Sequence, residues 1–396
     1  MNLAENIQAA SAMFAPKFQI TPILTKMLMD IEASRQAVSS LPITVPVLTS
    51  LRESARLVST HYSTQIEGNR LTQEQVADVL HGGAFPNRER DEREVKNYYQ
   101  ALDFLDVLIK RDLCTKDSFR SSKANMNRAK VSKSKSVYIK EKDIQTLHAL
   151  VMDGRKTPTP YRDGQNVIRD SNNGAIVYMP PEAKDVVNLM AELISWINQQ
   201  LDKAELPMPI IAAIAHYQFA TIHPYYDGNG RTARLLTNLV LHKSGYGLKG
   251  IYSLEEYYAR DLGGYYSALS VGESHNYYFG RADEDITNWV MYFCEGMADS
   301  FANVRVKASE AAKEFKPDHS ALLRELDQRQ RQVLSLFRKD KYITTRQIAE
   351  LLAIHPRTAL NGCKKWVQEG FVTQHGSGNK NRKYELSGKW LALLHD

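Results

Sequence analysis

Residues 223–234 read HPYYDGNGRTAR, which places a histidine, an acid, two glycines around an asparagine, and two arginines within one turn and the helix after it. The apolar runs IIAAIA before this stretch and LLTNLV after it predict two buried helices. Pro224 disfavours a helical backbone at His223, and glycines adopt backbone angles that other residues avoid. The sequence therefore predicts a helix, a tight loop and a second helix that begins at about Arg231.

The predicted loop has the properties of an anion site. Free backbone N–H groups point outward at a helix N-terminus, and the helix dipole adds partial positive charge there. Arg231 and Arg234 are three residues apart, so both lie on one side of the first helical turn. Arginine can hold phosphate oxygens through two parallel hydrogen bonds. A di- or triphosphate would use both arginines.

Asp227 and His223 complete a set suited to transfer at phosphorus. A carboxylate beside an anion site is explained if Mg²⁺ bridges it to phosphates. His223 carries the side chain whose ordinary pKa lies nearest neutrality, so it can take a proton from an attacking hydroxyl. Catalysis at phosphorus is mostly positioning and charge stabilisation. An ordinary turn would explain the Gly-Asn-Gly segment alone, and a metal site of His223 and Asp227 lacks a third ligand nearby.

The stretch resembles the Fic motif, His-Pro-Phe-x-(Asp/Glu)-Gly-Asn-Gly-Arg-x-x-Arg, with Tyr225 in place of phenylalanine. The resemblance covers most of the chain from about Ile20 to Met297. It implies a mainly α fold with a helical Fic core and transfer of AMP from ATP to a hydroxyl of a target protein. It also implies that His223 is the base and that Asp227 holds Mg²⁺. The residues that it assigns to the nucleotide are Gly228, Asn229, Gly230, Arg231, Arg234, Tyr265 and Tyr266.

Two details refine this resemblance. The related Doc toxins, which phosphorylate, carry a lysine where Gly230 stands, so the intact glycine favours AMP transfer. The tyrosine at 225 can anchor the loop in the core as phenylalanine does if its hydroxyl finds a partner.

Two segments upstream resemble accessory parts of Fic proteins. STQIEGN, at 63–69, resembles the inhibitory motif (Ser/Thr)-x-x-x-Glu-(Gly/Asn)-Asn, which implies autoinhibition through Ser63, Glu67 and Asn69. Alone, this segment would indicate only a helix C-terminus with an exposed acid. Two short β-type runs around DSNNG predict a β-hairpin, which resembles the Fic flap that pairs with a target segment. The target-binding residues of this flap would be Ala175, Ile176, Val177 and Tyr178.

The pattern changes near the C-terminus. Helix, helix, tight turn, helix and β-hairpin predict a winged helix-turn-helix, and Pro356 suits the first turn of its second helix. Lys380, Arg382 and Lys383 in the predicted wing are available for phosphates. A protein-contact module of the same shape is the alternative, and the basic wing favours DNA.

Composition places the chain among soluble globular proteins. It has 396 residues, 43% of them hydrophobic and 24% charged, which allows two or three domains. Three distant cysteines without a CxxC pair disfavour a zinc site or a disulfide framework and favour a reducing cytoplasm. The N-terminus lacks a signal-peptide pattern, and the longest apolar run is too short to span a bilayer.

The predicted organisation is 1–115, a helical region with the inhibitory motif; 116–139, a basic Ser- and Lys-rich insertion or loop; 140–300, the Fic domain; 301–319, a linker; and 320–396, the winged helix-turn-helix. The leading hypothesis is a cytoplasmic, autoinhibited protein AMP-transferase that uses ATP and Mg²⁺ and modifies a target protein and itself. A homodimer is left open. The alternatives are a DNA-binding regulator with a nucleotide-sensing Fic domain and an enzyme that removes AMP.

Overall fold

The computed structural model describes residues 14–120, 138–169, 174–313, 320–338, 340–376, 378 and 382–394. The chain divides into two compact units, residues 1–312 and residues 313–396. The described residues are mainly helical with two small antiparallel sheets, which confirms the predicted mainly α fold. No helix among these residues combines the length and the apolar character that crossing a membrane requires.

Unit 1 is built around two helices whose residues are nearly all buried. These are α7 (Met208–Ile222) and α8 (Asn229–Lys243), and α7 is buried around its whole circumference, as a central helix must be. The other helices of the unit surround this pair. The helices of unit 1 are α1 (Pro22–Ser40), α2 (Val45–Ile66), α3 (Gln73–Leu80), α4 (Glu89–Arg120), α5 (Glu141–Asp153), α6 (Ala183–Lys203), α7 (Met208–Ile222), α8 (Asn229–Lys243), α9 (Glu255–Arg260), α10 (Leu262–Leu269) and α11 (Thr287–Lys313).

The loop between α7 and α8 depends on two residues in the left-handed backbone region. His223 follows α7 with φ 50° and ψ 61°, and its N–H donates to the Phe219 carbonyl at 3.0 Å. Gly228 precedes α8 with φ 74°. Because this glycine completes the turn, α8 begins at Asn229, two residues before the predicted start at Arg231.

Two helices run further than predicted. Helix α4 continues to Arg120, so residues 116–120 are helical rather than part of an insertion; no glycine or proline occurs there to end the helix. Residues 121–137 of that insertion lie outside the described residues. Helix α11 continues to Lys313, so residues 301–313 are helical where a linker was predicted. Its apolar positions stay in phase and buried, as at Phe301 and Ala308.

A short hairpin forms between α5 and α6, as predicted. Strand β1 (Ile168–Arg169) pairs antiparallel with β2 (Ile176–Tyr178), with an irregular register between its two residues. Residues 170–173 lie outside the described residues.

Unit 2 has its own hydrophobic core around Trp366 and Phe371. Its strands β3 (Tyr342–Ile343), β4 (Val372–His375) and β5 (Lys383–Leu386) form an antiparallel sheet in the order β3–β5–β4. Three helices and a hairpin follow one another in the predicted order, with the short strand β3, which was not predicted, between the first two of these helices. The winged-helix assignment stays a prediction. Lys380 lies outside the described residues. The elements are α12 (Ser320–Glu325), α13 (Gln328–Phe337), β3 (Tyr342–Ile343), α14 (Thr345–Leu351), α15 (Pro356–Gln368), β4 (Val372–His375), β5 (Lys383–Leu386) and a 3₁₀ segment at 388–394.

Candidate active site

His223 presents a neutral imidazole at the end of α7. Its Nδ1 lies 3.3 Å from the Ala220 carbonyl, which can only accept, so Nδ1 carries the proton and Nε2 the lone pair. Within the described residues, no side chain or backbone group bonds to Nε2. Desolvation of the ring lowers the pKa of His223 to about 4. The imidazole is therefore unprotonated at neutral pH and able to accept a proton.

The loop after His223 is braced by Asn229. The side-chain oxygen of Asn229 accepts from the Tyr225 N–H at 3.0 Å, and its amide donates to the Tyr225 carbonyl at 2.8 Å. A Cβ at Gly228 would approach the Met152 sulfur to 2.6 Å, so the loop has no room for a side chain there. The first N–H groups of α8, at 229–231, have no intrahelical partner.

Two buried arginines line the start of α8. Arg231 is 4% exposed and Arg234 is 2% exposed. Arg231 Nε and Arg234 Nη1 are buried without a hydrogen-bond partner among the described residues. Buried donors are nearly always paired. A Cβ at Gly230 would lie 3.3 Å from Arg234 Nη1, so this donor lies beside the glycine loop. An anion bound at the loop would meet donors that still lack a partner.

Helix α2 ends against Arg234. The Glu67 Oε1 accepts from Arg234 Nη2 at 2.8 Å, and Ser63 accepts from the same guanidinium through its hydroxyl at 2.8 Å and its carbonyl at 2.9 Å. A Cβ at Gly230 would collide with the Glu67 carboxylate. Thus Ser63 and Glu67 of the predicted inhibitory motif contact the predicted phosphate residues directly.

Asn69, the last residue of that motif, lies elsewhere. Its amide donates to the Asp91 carbonyl at 2.9 Å and to Glu94 at 3.3 Å, and its oxygen accepts from the Leu71 N–H at 3.1 Å. Gly68, with φ 92°, completes the turn after α2. Asn69 therefore fixes the turn that carries Glu67.

Asp227 is the one predicted metal ligand. Its side chain is 66% exposed, and Oδ1 accepts from the Gly228 N–H at 2.6 Å and lies 3.7 Å from Arg231 Nη2. No group of three or more His, Cys, Asp or Glu side chains suited to a metal occurs in the described parts of the chain. A single exposed carboxylate beside an anion loop fits Mg²⁺, which takes its other ligands from phosphate and water.

The two predicted adenine-side tyrosines have different surroundings. Tyr265 is 2% exposed, and its hydroxyl lies 3.0 Å from His216 Nε2 in the core. The nucleotide contact of Tyr265 stays a prediction. Tyr266 is 47% exposed, with its hydroxyl 3.5 Å from the carbonyl of Ile66 at the end of α2. Tyr266 stays a predicted contact.

The flap presents part of its second strand to solvent. Ala175, Ile176 and Val177 are exposed, whereas Tyr178 turns inward and donates to the Thr221 carbonyl at 2.8 Å. The residue after the strand, Met179, exchanges backbone hydrogen bonds with the segment 275–277, at 2.7 and 3.0 Å. Tyr178 therefore anchors the hairpin, whereas Ile176 and Val177 expose their side chains to solvent. Target binding by residues 175–178 stays a prediction.

Tyr225 anchors the loop by stacking rather than by a hydrogen bond. It is 2% exposed, and its ring lies 3.5 Å from that of His148, nearly parallel. Its hydroxyl has no hydrogen-bond partner within the described residues. The condition stated for this tyrosine, a partner for its hydroxyl, is therefore not met among the described residues, and the ring contacts hold the loop instead.

Sequence reasoning missed two buried residues that hold the loop. His148, on α5, contacts the Asp227 carbonyl through Nε2 at 2.9 Å. Arg162 donates from Nε to the His223 carbonyl at 2.9 Å. An isolated histidine on a helix and a lone arginine in YRDG carry no periodic signal, so a single sequence offers nothing that singles them out.

Comparison with known proteins agrees with this geometry. Residues 138–241 match the family described as Fic/DOC. Among curated relatives, protein adenylyltransferase Fic of Drosophila mojavensis is 29% identical over 224 residues, 56% of this chain and 38% of that protein. Protein adenylyltransferase fic-1 of Caenorhabditis briggsae is 29% identical over 244 residues, 61% of this chain and 42% of that protein. The chain thus spans about two fifths of the length of these relatives.

Solved structures share the fold. A Fic family protein from Desulfovibrio desulfuricans G20 matches with a TM-score of 0.53 and 21% identity, over 95% of this chain and 99% of that one. A Fic domain containing signaling protein from Bacteroides thetaiotaomicron matches with a TM-score of 0.56 and 22% identity, over 72% of this chain and 97% of that one. The family match shows a Fic/DOC family domain at residues 138–241 of this chain, the part that contains the loop from His223 to Arg234.

Proposed function

We propose that this chain is a protein adenylyltransferase that moves AMP from ATP to a hydroxyl side chain of a target protein. The observation that carries the proposal is the convergence at one loop of a neutral imidazole, a helix N-terminus and two buried arginines with unpaired N–H groups. Relatives at about 29% identity bear the name protein adenylyltransferase, which supports the same activity.

In the proposed reaction, the hydroxyl oxygen of the target attacks the α-phosphorus of ATP, and its proton passes to Nε2 of His223. The bond from the α-phosphorus to the oxygen that bridges it to the β-phosphorus breaks, and pyrophosphate leaves. The N–H groups of 229–231, with Arg231 and Arg234, would stabilise charge on the departing phosphates. Asp227 would hold Mg²⁺, which supplies further charge neutralisation. The exposed strand residues of the flap, 175–177, would pair with the target segment.

We infer further that Glu67 inhibits this reaction. The Glu67 carboxylate holds the buried Arg234 at 2.8 Å. Moving the carboxylate away from this arginine is unfavourable, because it would leave a buried charge without a partner. While the pair persists, ATP would have to bind with its γ-phosphate displaced. The α-phosphorus would then be misaligned for attack, and a misplacement of about 1 Å costs on the order of 10²-fold in rate.

Labelled ATP tests the activity. The chain and its Glu67→Gly variant are incubated with Mg²⁺, a cell lysate and ATP labelled on either the α- or the γ-phosphate. Label on protein from α-labelled ATP alone is expected, and it should be stronger for Glu67→Gly. Label from γ-labelled ATP would indicate phosphorylation instead, and no label with either would sink the proposal. Gln65→Gly is the matched control, since it loosens the same helix end without removing the carboxylate.

Removal of AMP is an alternative activity of the same site. A target labelled by the Glu67→Gly variant is repurified and returned to the wild-type chain without ATP. Release of labelled AMP by wild type, and not by His223→Ala, would favour removal as the main activity.

We propose a second function for unit 2, contact with DNA. Residues 313–396 contain 16 Lys and Arg against nine Asp and Glu, a formal charge of +7, so the other 312 residues carry −1 of the chain's +6. Arg357 and Lys364 are exposed on one face of α15, and Lys383 is exposed on β5. Binding of a random duplex at low salt supports this function. If none binds, the protein-contact alternative stands.

A further inference from the structure

Arg162 joins the catalytic loop to the base of the flap. It is 4% exposed. Its Nε donates to the His223 carbonyl at 2.9 Å, Nη1 to the Gly164 carbonyl at 3.0 Å, and Nη2 to the Pro181 carbonyl at 2.5 Å. Its own backbone N–H donates to the Pro224 carbonyl at 2.9 Å. One residue therefore holds two successive carbonyls of the loop and two carbonyls beside the hairpin.

The guanidinium of Arg162 has no acidic partner. Each of its side-chain hydrogen bonds ends on a main-chain carbonyl, and no carboxylate within the described residues forms an ion pair with it. Burial lowers the pKa of Arg162, because the cation is desolvated without a counter-charge. The planar guanidinium of arginine carries its N–H donors in fixed directions, which suits three carbonyls at fixed positions. The ammonium group of lysine is a compact point charge and cannot match all three.

The loop that Arg162 holds needs external support. His223 is not glycine, yet it lies in the left-handed backbone region with φ 50°. Such a conformation persists only where its surroundings fix it. Its amide is held by α7, through the Phe219 carbonyl at 3.0 Å, and its carbonyl is held by Arg162. These two contacts set the direction in which the imidazole leaves the backbone.

We propose that Arg162 is a positioning residue that sets the distance between the base His223 and the flap strand that holds the target. The proposal rests on the proposed transfer activity. Strand β2 ends at Tyr178, and Met179, Pro180 and Pro181 follow it. The Pro181 carbonyl that accepts from Nη2 therefore lies three residues beyond the end of the strand proposed to hold the target. All three side-chain hydrogen bonds of Arg162 end on main-chain carbonyls and none on Arg231 or Arg234, so its loss should affect the transfer step and not nucleotide binding.

The expected effects separate these two steps. Arg162→Met should lower kcat by about 10²-fold, the cost on the order of a 1 Å misplacement. Arg162→Lys can reach one of the carbonyls and should lose roughly tenfold. The dissociation constant for ATP should change less than about threefold, because the loop N–H groups and the buried arginines of α8 bind the phosphates.

The test uses the full chain with Glu67→Gly as the active reference and adds Arg162→Met, Arg162→Lys or the control Arg260→Met. Arg260 is an exposed arginine paired with Asp299 at 2.7 Å, away from the loop. Target labelling gives kcat, equilibrium binding gives the ATP dissociation constant, and a thermal melt checks folding. We expect the larger fall in kcat for Arg162→Met and the smaller fall for Arg162→Lys, with the ATP affinity unchanged in both. The control Arg260→Met should change neither quantity. Unchanged kcat, or kcat and ATP affinity falling together, overturns the proposal.

Amide hydrogen exchange provides a readout that does not require transfer. Arg162→Met should speed exchange both at 221–226 and at 176–181, with the rest of unit 1 as the internal reference. If neither segment changes, or only one does, the proposed coupling is wrong. Absence of labelling by the Glu67→Gly reference would instead refute the adenylyltransferase activity, while the exchange result would still decide whether Arg162 couples the two segments.

Discussion

The two units hold positive charge in opposite ways. Unit 1 has a formal charge of −1, yet it buries Arg231 and Arg234, 4% and 2% exposed, beside a helix N-terminus. Unit 2 has a charge of +7 and leaves Arg357 and Lys364 in solvent. Buried charges are screened by salt far less than exposed ones. A buried site that binds a single polyphosphate therefore needs few cations, whereas an exposed surface that binds an extended polyanion needs many.

The largest expected effect tests the chemistry of unit 1. In the Glu67→Gly background, His223→Ala should lower transfer by roughly 10²-fold or more, because the attacking hydroxyl loses its base. ATP affinity should be nearly unchanged, since the loop and the arginines remain. Rates of target labelling and equilibrium ATP binding measure the two quantities. His81→Ala, which removes an exposed imidazole at the end of α3, is the control; near-normal labelling by His223→Ala would contradict the assignment of the base.

The next largest effect tests whether Arg234, once released from Glu67, binds phosphate. Glu67→Gly should raise self-labelling and target labelling on the order of 10²-fold, because ATP regains its aligned position. Glu67→Gly with Arg234→Ala should lose most of that gain, since the freed guanidinium is what aligns ATP. Initial rates at saturating ATP and Mg²⁺ measure both. Equal rates for wild type and Glu67→Gly would rule out this inhibition.

The acid limb of the rate profile tests the low pKa of the base. His223 titrates at about 4 in the folded chain, so it stays unprotonated as the pH falls through the ordinary histidine range near 6.5. The profile of kcat/KM for the Glu67→Gly variant should therefore stay flat from pH 8 to about pH 5 and fall only below that. A loss that begins near pH 6.5 would show that the ring is solvated as in a free histidine.

Salt dependence tests unit 2. Arg357→Ala with Lys364→Ala should flatten the slope of log affinity for duplex DNA against log salt by about one per lost phosphate contact. AMP transfer should not change. Lys389→Ala, which removes an exposed lysine outside α15, is the matched control. An unaltered slope for the double variant would place any DNA contact on another face of the unit.

The smallest effect concerns stability. Tyr225→Phe removes a buried hydroxyl without a partner and should stabilise unit 1 by about 1 kcal/mol. Tyr252→Phe is the control, because the Tyr252 hydroxyl is buried and donates to Asn238 at 3.0 Å, so its loss should destabilise by about 1 kcal/mol. Denaturant unfolding measures both. Destabilisation by Tyr225→Phe would mean that its hydroxyl has a partner, such as a buried water.

Local patterns predicted the elements of the site better than its contacts. The apolar runs and the glycines around Asn229 predicted helix, loop and helix, and two short β-type runs around DSNNG predicted the hairpin. The start of α8 was placed two residues late, because the exact point at which a glycine turn becomes a helix depends on backbone geometry that residue types do not encode. Propensity likewise predicted neither the continuation of α4 nor that of α11.

Contacts between distant segments were predicted only where a resemblance linked them. Glu67 and Arg234 are separated by 167 positions, and no spacing rule connects them. Their contact was predicted because the two segments resemble the inhibitory motif and the Fic motif. Arg162 and His148 belong to neither motif and were missed. Two adjacent tyrosines likewise do not reveal which one points inward: Tyr265 contacts His216 in the core, whereas Tyr266 is 47% exposed.

The absence of a side chain at Gly230 limits how the proposed inhibition by Glu67 could be lost by mutation. The Glu67 carboxylate lies in the space where a Cβ at residue 230 would stand, and the same space borders Arg234 Nη1, where a phosphate would bind. If Glu67 inhibits as proposed, a larger residue there would displace its carboxylate and obstruct the phosphate in one step. Substitutions at position 230 are therefore expected to lower AMP transfer even where they displace Glu67. Variants selected for unregulated AMP transfer should instead cluster at the end of α2, at residues 63–69.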